Sequence, residues 1–171
     1  TDRLNEICHE YIVSKGAIPS PLNYRGFPKS ICSSVNEEIC HGIPSDRKLR
    51  NGDIVNLDIT TYFKGFHGDT SRTFFVGSPR KKAEKLVDVC KEALQRGIEV
   101  VEPGAKLGDI GATIQGLAES HGYTVVREFC GHGIGSNFHE EPQILHYGNF
   151  GDGLEIKKGM VFTIEPMINL G

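Results

Sequence analysis

No apolar run in this chain approaches the roughly 18 residues that a membrane-spanning helix requires. The N-terminus also lacks the charged, apolar and small-residue succession of a signal peptide. Five consecutive basic residues never occur, and a net charge of −3 gives no basis for binding nucleic acid. The cysteines Cys8, Cys32, Cys40, Cys90 and Cys130 are odd in number and include no CxxC. That argues against a disulfide framework and for reduced thiols in a cytosol-like, cytoplasmic setting. No GxSxG, HExxH or P-loop string is present, and GHGIG falls short of GxGxxG because Ser136 stands where the third glycine belongs.

What is there suits a soluble globular protein with an adequate core: 171 residues, 38% apolar and 24% charged. The chain begins at Thr1 rather than Met and stops at Gly171 after a strand-like run, so it is expected to be part of a longer protein. A first helix is predicted over 1–14, with Thr1 as N-cap, Leu4, Ile7, Cys8, Tyr11 and Ile12 on one face, and Gly16 as the stop. Pro19, Pro21, Gly26 and Pro28 then make a loop carrying Tyr24 and Phe27, followed by a short strand over 30–35 and a loop to Asp53. The 3/4 spacing of Ala83, Leu86, Val87, Cys90, Ala93, Leu94 and Val101 predicts the best helix of the chain, over 79–101. Another is expected over 107–120, then a strand over 124–130, the Gly-rich GHGIG, a polar loop, and a last strand over 160–168.

The chain is organised around residues 52–75. Val55, Leu57 and Ile59 alternate with Asn56, Asp58 and Thr60, a turn follows at Lys64, Gly65 and Phe66, and 70–76 is again β-prone. The expected hairpin sets Asp58 opposite Asp69 on one face, with Cβ atoms about 5 Å apart. Two ionised carboxylates that close repel, so either one is protonated or a cation lies between them. A divalent metal is the economical answer.

Two segments are copies. Residues 49–58 (LRNGDIVNLD) align without gaps on 156–165 (IKKGMVFTIE), 107 positions later, and the preceding helices share nearly the same offset. This indicates a duplicated α/β half, spanning about 1–80 and 104–171, within a single domain that continues past both ends. Duplication gives Asp58 and Glu165 equivalent places facing one another across the join. Since Asp58 is followed by Asp69, Glu165 should be followed by a carboxylate on its own return strand, beyond Gly171.

Asp58, Asp69 and Glu165 supply oxygen ligands and His132 a nitrogen, a set that suits Mn, Fe, Co or Zn. Taken singly, each has an ordinary reading: a strand aspartate is usually solvated and a histidine between glycines usually bonds its own loop. The repeat ties the four together. His41 and His139 are further loop histidines with reach to a substrate, or else satisfied surface imidazoles. Glu140 and Glu141 read more simply as a solvated turn, and Cys40-His41 is too local to chelate one ion.

The strings FPKSICSSVNEEICHGIP, GDIVNLDITTYFKGFHGDTSRTF, REFCGHGIGSNFHEEP and KKGMVFTIEPMIN resemble those of type I methionine aminopeptidases, over essentially the whole chain. The resemblance implies the pita-bread fold: a pseudo-two-fold α/β (α+β) domain with antiparallel sheet inside and helices outside. It implies an enzyme that removes the initiator methionine from nascent polypeptide N-termini through a hydroxide bridging two divalent metals (Co, Mn, Fe or Zn). Asp58 corresponds to a ligand of one metal, Asp69 to a bridging carboxylate, and His132 and Glu165 to ligands of the other. Glu165 is also the expected proton shuttle. His41 matches the histidine that contacts substrate near the scissile amide, and His139 the one that stabilises the tetrahedral intermediate. Tyr24, Phe27, Cys32 and Phe138 match the walls of the methionine pocket, with Met167 nearby.

The family's second bridging glutamate and one aromatic wall would fall beyond Gly171, so this stretch alone is expected to bind metal poorly. Pro21 and Arg25 depart from a cysteine and a histidine seen in some members. The expected partners are nascent chains and the ribosome they leave, with neither membrane nor nucleic acid, and the expected state is monomeric. A prolidase or aminopeptidase P-like enzyme on the same fold, and a non-catalytic pita-bread paralogue, are the alternatives.

Overall fold

The computed structural model describes residues 1–170 and divides into two compact units. The first comprises Thr1–Lys81 with Gly135–Phe138, and the second Lys82–Ile134 with His139–Gly171. The carboxylate and the aromatic wall expected after Gly171 lie outside the described residues.

In the first unit, α1 (Asp2–Ser14) ends where Gly16 takes a left-handed φ of 74°. Its inward face is narrower than expected: Ile12 is buried, but Ile7 and Tyr11 are exposed. Then come β1 (Ile18–Pro19), a single 3-10 turn at Tyr24–Gly26, and β2 (Cys32–Val35). The hairpin follows as β3 (Ile54–Phe63) and β4 (Phe66–Phe75). Strand β3 is central. It pairs with β4 along its full length on one side, and with β2 and then β1 on the other, all antiparallel.

The hairpin register corrects one expectation. Lys64 and Gly65 form a two-residue turn, both at positive φ (50° and 96°), which suits the right-handed twist of the flanking strands. A turn centred there pairs Asp58 with Ser71 and Thr60 with Asp69. Asp58 and Asp69 therefore share a face as diagonal neighbours, about 7–8 Å apart by Cα, rather than sitting directly opposite.

In the second unit, α2 (Lys81–Glu99) buries Val89, Ala93 and Gly97, and α3 (Leu107–Ser120) buries Leu107, Ile110, Gly111, Ala112, Ile114 and Ala118. The core joins these to Tyr123, Ile144, Ile156 and Ile168. The two helices approach closely at Gly97, where an added Cβ would meet Ile114 Cδ1 at 2.9 Å.

The strands here are shorter than the apolar runs suggest. The run over 124–130 yields only β5 (Thr124–Val125), and the run over 160–168 yields only β8 (Ile168–Asn169). Residues 161–163 instead flank β6 (Gly131–Gly133), with Ile134 N–H bonded to Val161 O and Thr163 N–H to His132 O. The other side of β6 takes β7 (Glu140–Ile144), which the polar sequence HEEPQ did not announce.

The two units repeat one pattern. Ile18 pairs with Tyr62 and Pro19 with Thr61, while Thr124 pairs with Asn169 and Val125 with Ile168. Ser20 N–H bonds Thr60 O as Val126 N–H bonds Met167 O, and Asp2 N–H bonds Ser45 O as Gly108 N–H bonds Asp152 O. Gly52 and Gly159, equivalent in the ten-residue copy, both have positive φ (98° and 91°).

Candidate metallopeptidase site

In the first unit, the hairpin face that carries Asp58 and Asp69 also carries Thr60, Tyr62 and His67, as the alternation of β3 and β4 requires. Cys32 on β2 is the cross-strand partner of Asp58. Its buried thiol is pushed up to about 12, first by burial and then by the charges of Asp58, Cys40 and Asp69. One thiol thus feels the charges of both carboxylates. His41 is exposed and left-handed (φ 55°), in a loop laid against β2 by Gly42. Ser33 N–H bonds Gly42 O at 2.8 Å, and a Cβ at Gly42 would stand 2.2 Å from Ser33 O.

An aromatic wall occupies the same unit. The Tyr24 and Phe138 ring centroids are 4.9 Å apart, and Phe27 is half-buried nearby in sequence. His67, which sequence reasoning passed over, stacks on Phe138 at 5.5 Å and 11°, contacts Tyr62 at 4.8 Å, and meets Ser20 Oγ through Nδ1 at 2.8 Å.

In the second unit, His132 lies on β6 between two glycines that cannot be enlarged. A Cβ at Gly131 would be 2.4 Å from Thr163 O, and one at Gly133 would be 2.3 Å from Glu141 O. His132 Nδ1 lies 2.9 Å from Gly133 O. A carbonyl only accepts, so Nδ1 carries the proton, and in the neutral ring Nε2 presents its lone pair. Nε2 is 3.6 Å from Glu165 Oε1. Thr163 clamps both residues: its hydroxyl donates to Glu165 Oε1 at 2.6 Å and accepts His132 N–H at 3.0 Å. The His139 ring is 4.2 Å from that of His132, and Met167 is half-buried two residues after Glu165.

Beneath Glu165, the fully buried His146 accepts the Glu165 backbone N–H through Nε2 at 3.0 Å. Burial pushes this imidazole down to about 4, so it is neutral at physiological pH. Neither Thr163 nor His146 was singled out from sequence, although Thr163 stands two residues before Glu165, where strand alternation would place it on the same face.

The second-unit pair fits a divalent ion. Two ligand atoms on one ion, each about 2.0–2.2 Å from it, stand about 3.0–3.6 Å apart, and the His132–Glu165 separation matches. The Nδ1-to-carbonyl bond and the Thr163 clamp are the supports that orient metal-ligating imidazoles and carboxylates. Among the described residues, no group of three or more His, Cys, Asp or Glu is assembled to hold an ion by itself. The predicted ligands are distributed two to each unit.

The same α/β pattern thus occurs in both units, with a clamped imidazole–carboxylate pair in one and two aspartates sharing a hairpin face in the other. The metallopeptidase family M24 model matches residues 1–171, and the chain belongs to that family. It is 58% identical over 171 residues to the methionine aminopeptidase of Rickettsia prowazekii, covering all of this chain and 66% of that protein. The chain thus spans about two thirds of that relative's length. The crystal structure of methionine aminopeptidase from Rickettsia prowazekii superposes with a TM-score of 0.98 over 99% of this chain and 68% of that one. That from Thermotoga maritima, at 37% identity, gives 0.97 over 99% and 68%. The fold is the pita-bread fold of those enzymes.

Proposed function

We propose that this chain belongs to a methionine aminopeptidase, which removes the initiator methionine from nascent polypeptides in the cytoplasm and works as a monomer near the ribosome. The observation that carries the reading is the His132–Glu165 pair, spaced at 3.6 Å and held from behind by Gly133 O and Thr163 Oγ1. Likeness to methionine aminopeptidases along the whole chain supports it. The absence, among the described residues, of any helix long and apolar enough to cross a membrane accords with it.

His132 and Glu165 would hold one divalent ion, and Asp58 and Asp69 would contribute to holding a second. Bound divalent ions lower the pKa of a water toward neutrality and polarise the scissile carbonyl. Glu165, with one oxygen fixed by the Thr163 hydroxyl at 2.6 Å, would serve as the acid–base group that passes a proton to the leaving amine. His139 donates a hydrogen bond toward the developing oxyanion, and His41 holds the scissile amide. Tyr24, Phe27, Cys32 and Phe138 of the first unit would wall the subsite for a flexible, polarisable thioether side chain.

The decisive experiment uses the full-length, metal-loaded protein with Met-Ala-Ser and an Xaa-Pro dipeptide. Release of methionine by the wild type, abolished in His132→Ala, is expected. Cleavage of the Xaa-Pro substrate alone would identify a prolidase instead. A protein that purifies without stoichiometric metal and cleaves neither would be the non-catalytic paralogue.

A further inference from the structure

We propose that His67 is a specificity-determining positioning residue, the brace that sets where Phe138 stands and hence the side-chain preference of the subsite; this rests on the aminopeptidase reading above. His67 lies on the hairpin face that carries Asp69, one strand period away, and Tyr62 is its cross-strand partner. Four separate contacts fix it. Ser20 Oγ meets Nδ1 at 2.8 Å, Tyr62 packs against one part of the ring at 4.8 Å, and Phe138 stacks on it at 5.5 Å and 11°. Its backbone N–H bonds Gly135 O at 2.8 Å, so the strand that holds the imidazole also holds the segment carrying Phe138.

Phe138 belongs to a short excursion, Gly135–Phe138, that is grouped with the hairpin although its chain neighbours on either side belong to the second unit. Within the excursion, Gly135 N–H bonds Asn137 O at 3.2 Å. The ring of Phe138 therefore takes its position from Tyr24 on one side and His67 on another. A flat imidazole lying nearly parallel to Phe138 fixes the tilt of that ring as well as its distance, and Ser20 stops the imidazole from turning. An aliphatic residue at 67 would fill space without fixing tilt. A tilted Phe138 would admit branched side chains that a fixed wall excludes.

The test compares the wild type, His67→Ala, His67→Phe and Ser20→Ala in the full-length metal-loaded enzyme, with Met-Ala-Ser and Leu-Ala-Ser as substrates. His67→Ala should raise KM for Met-Ala-Ser about tenfold with kcat little changed, and should lower the Met-over-Leu ratio of kcat/KM about tenfold. His67→Phe keeps a flat ring and should restore most of that ratio, and Ser20→Ala should fall between it and the wild type. An unchanged ratio in His67→Ala, or equal loss on both substrates through kcat with metal lost, overturns the proposal. If His67→Ala does not fold, a Ser20→Ala ratio equal to that of the wild type overturns it instead. A wild type that leaves Met-Ala-Ser intact would refute the aminopeptidase reading itself, a separate outcome.

Discussion

At the scale of single residues, the second-unit pair depends on groups that touch no substrate. Thr163 spends its one hydroxyl proton on Glu165 and one lone pair on the His132 amide. Thr163→Val keeps the shape and removes both bonds, so kcat/KM on Met-Ala-Ser should fall about 10–100-fold, as loss of such supports does. The orphaned His132 amide should also cost about 1–3 kcal/mol in urea denaturation; an unchanged kcat/KM would show that Glu165 needs no clamp. His146 acts one step further back. Its Nδ1 is buried with no hydrogen-bond partner among the described residues, a cost retained while Nε2 satisfies the Glu165 amide. His146→Leu would orphan that amide and should cost about 1–3 kcal/mol in urea denaturation. Asp58, Asp69, His132 and Glu165 stand out in the sequence only because the repeat ties them together, and the structure brings His132 Nε2 to 3.6 Å from Glu165 Oε1. Thr163, His146 and His67 were not legible, since nothing in a residue type says what its neighbour in space will be.

At the scale of elements, α3 shows how sequence pattern and packing can pull apart. Its boundaries follow from the apolar period, and Gly122 stops it at a φ of 74°. Gly111, inside the helix, looks like a weakness, because alanine is better there by about 1 kcal/mol. The structure reverses that expectation: a Cβ at 111 would stand 2.4 Å from Tyr147 O and 2.8 Å from Leu145 O. Gly111→Ala should therefore destabilise the protein by about 2 kcal/mol or more despite its helix propensity, and a gain in melting temperature would refute the close approach.

Asp109 in the first turn of α3 accepts Gly151 N–H and Lys106 N–H, each at 2.7 Å, and these bonds hold its carboxyl below the usual range. A depressed folded-state pKa means that the contribution is complete above the unfolded value of about 3.9 and disappears as pH falls through the folded one. Asp109→Asn should therefore flatten the acid limb of a melting-temperature profile below about pH 4 and lower the neutral plateau. The strands were read less well than the helices. The hairpin turn falls at Lys64 and Gly65, with Phe66 already in β4, and the register differs by two residues from one that pairs Asp58 with Asp69. β7 was missed because Glu140, Glu141 and Gln143 show no apolar alternation; the close approach that Gly131 and Gly133 allow beside β6 places it.

At the scale of the whole molecule, the duplication is what the sequence conveyed best, because ten aligned residues and two helix stops carry nearly the same offset. The backbone bonds repeat with it, down to the amide of Ser20 and that of Val126. The repeat does not by itself reveal the ligand set: copied positions carry Asp58 in one unit and Glu165 in the other, but His132 has no histidine in the corresponding strand β2. Each unit therefore brings a different pair, and among the described residues neither holds a group of three ligating side chains. Metal affinity should depend on both pairs. An ion present at about 100 times its dissociation constant stabilises the folded state by about 2.7 kcal/mol. For a protein of this size that corresponds to a rise of about 5–10 °C in melting temperature. Full-length apoprotein titrated with Mn²⁺ should show such a rise, and EDTA should reverse it. Asp58→Asn and His132→Ala, changes in different units, should each remove most of the shift while leaving the apoprotein melting temperature within a few degrees of the wild type. A full shift retained by either variant would take that residue out of the ligand set.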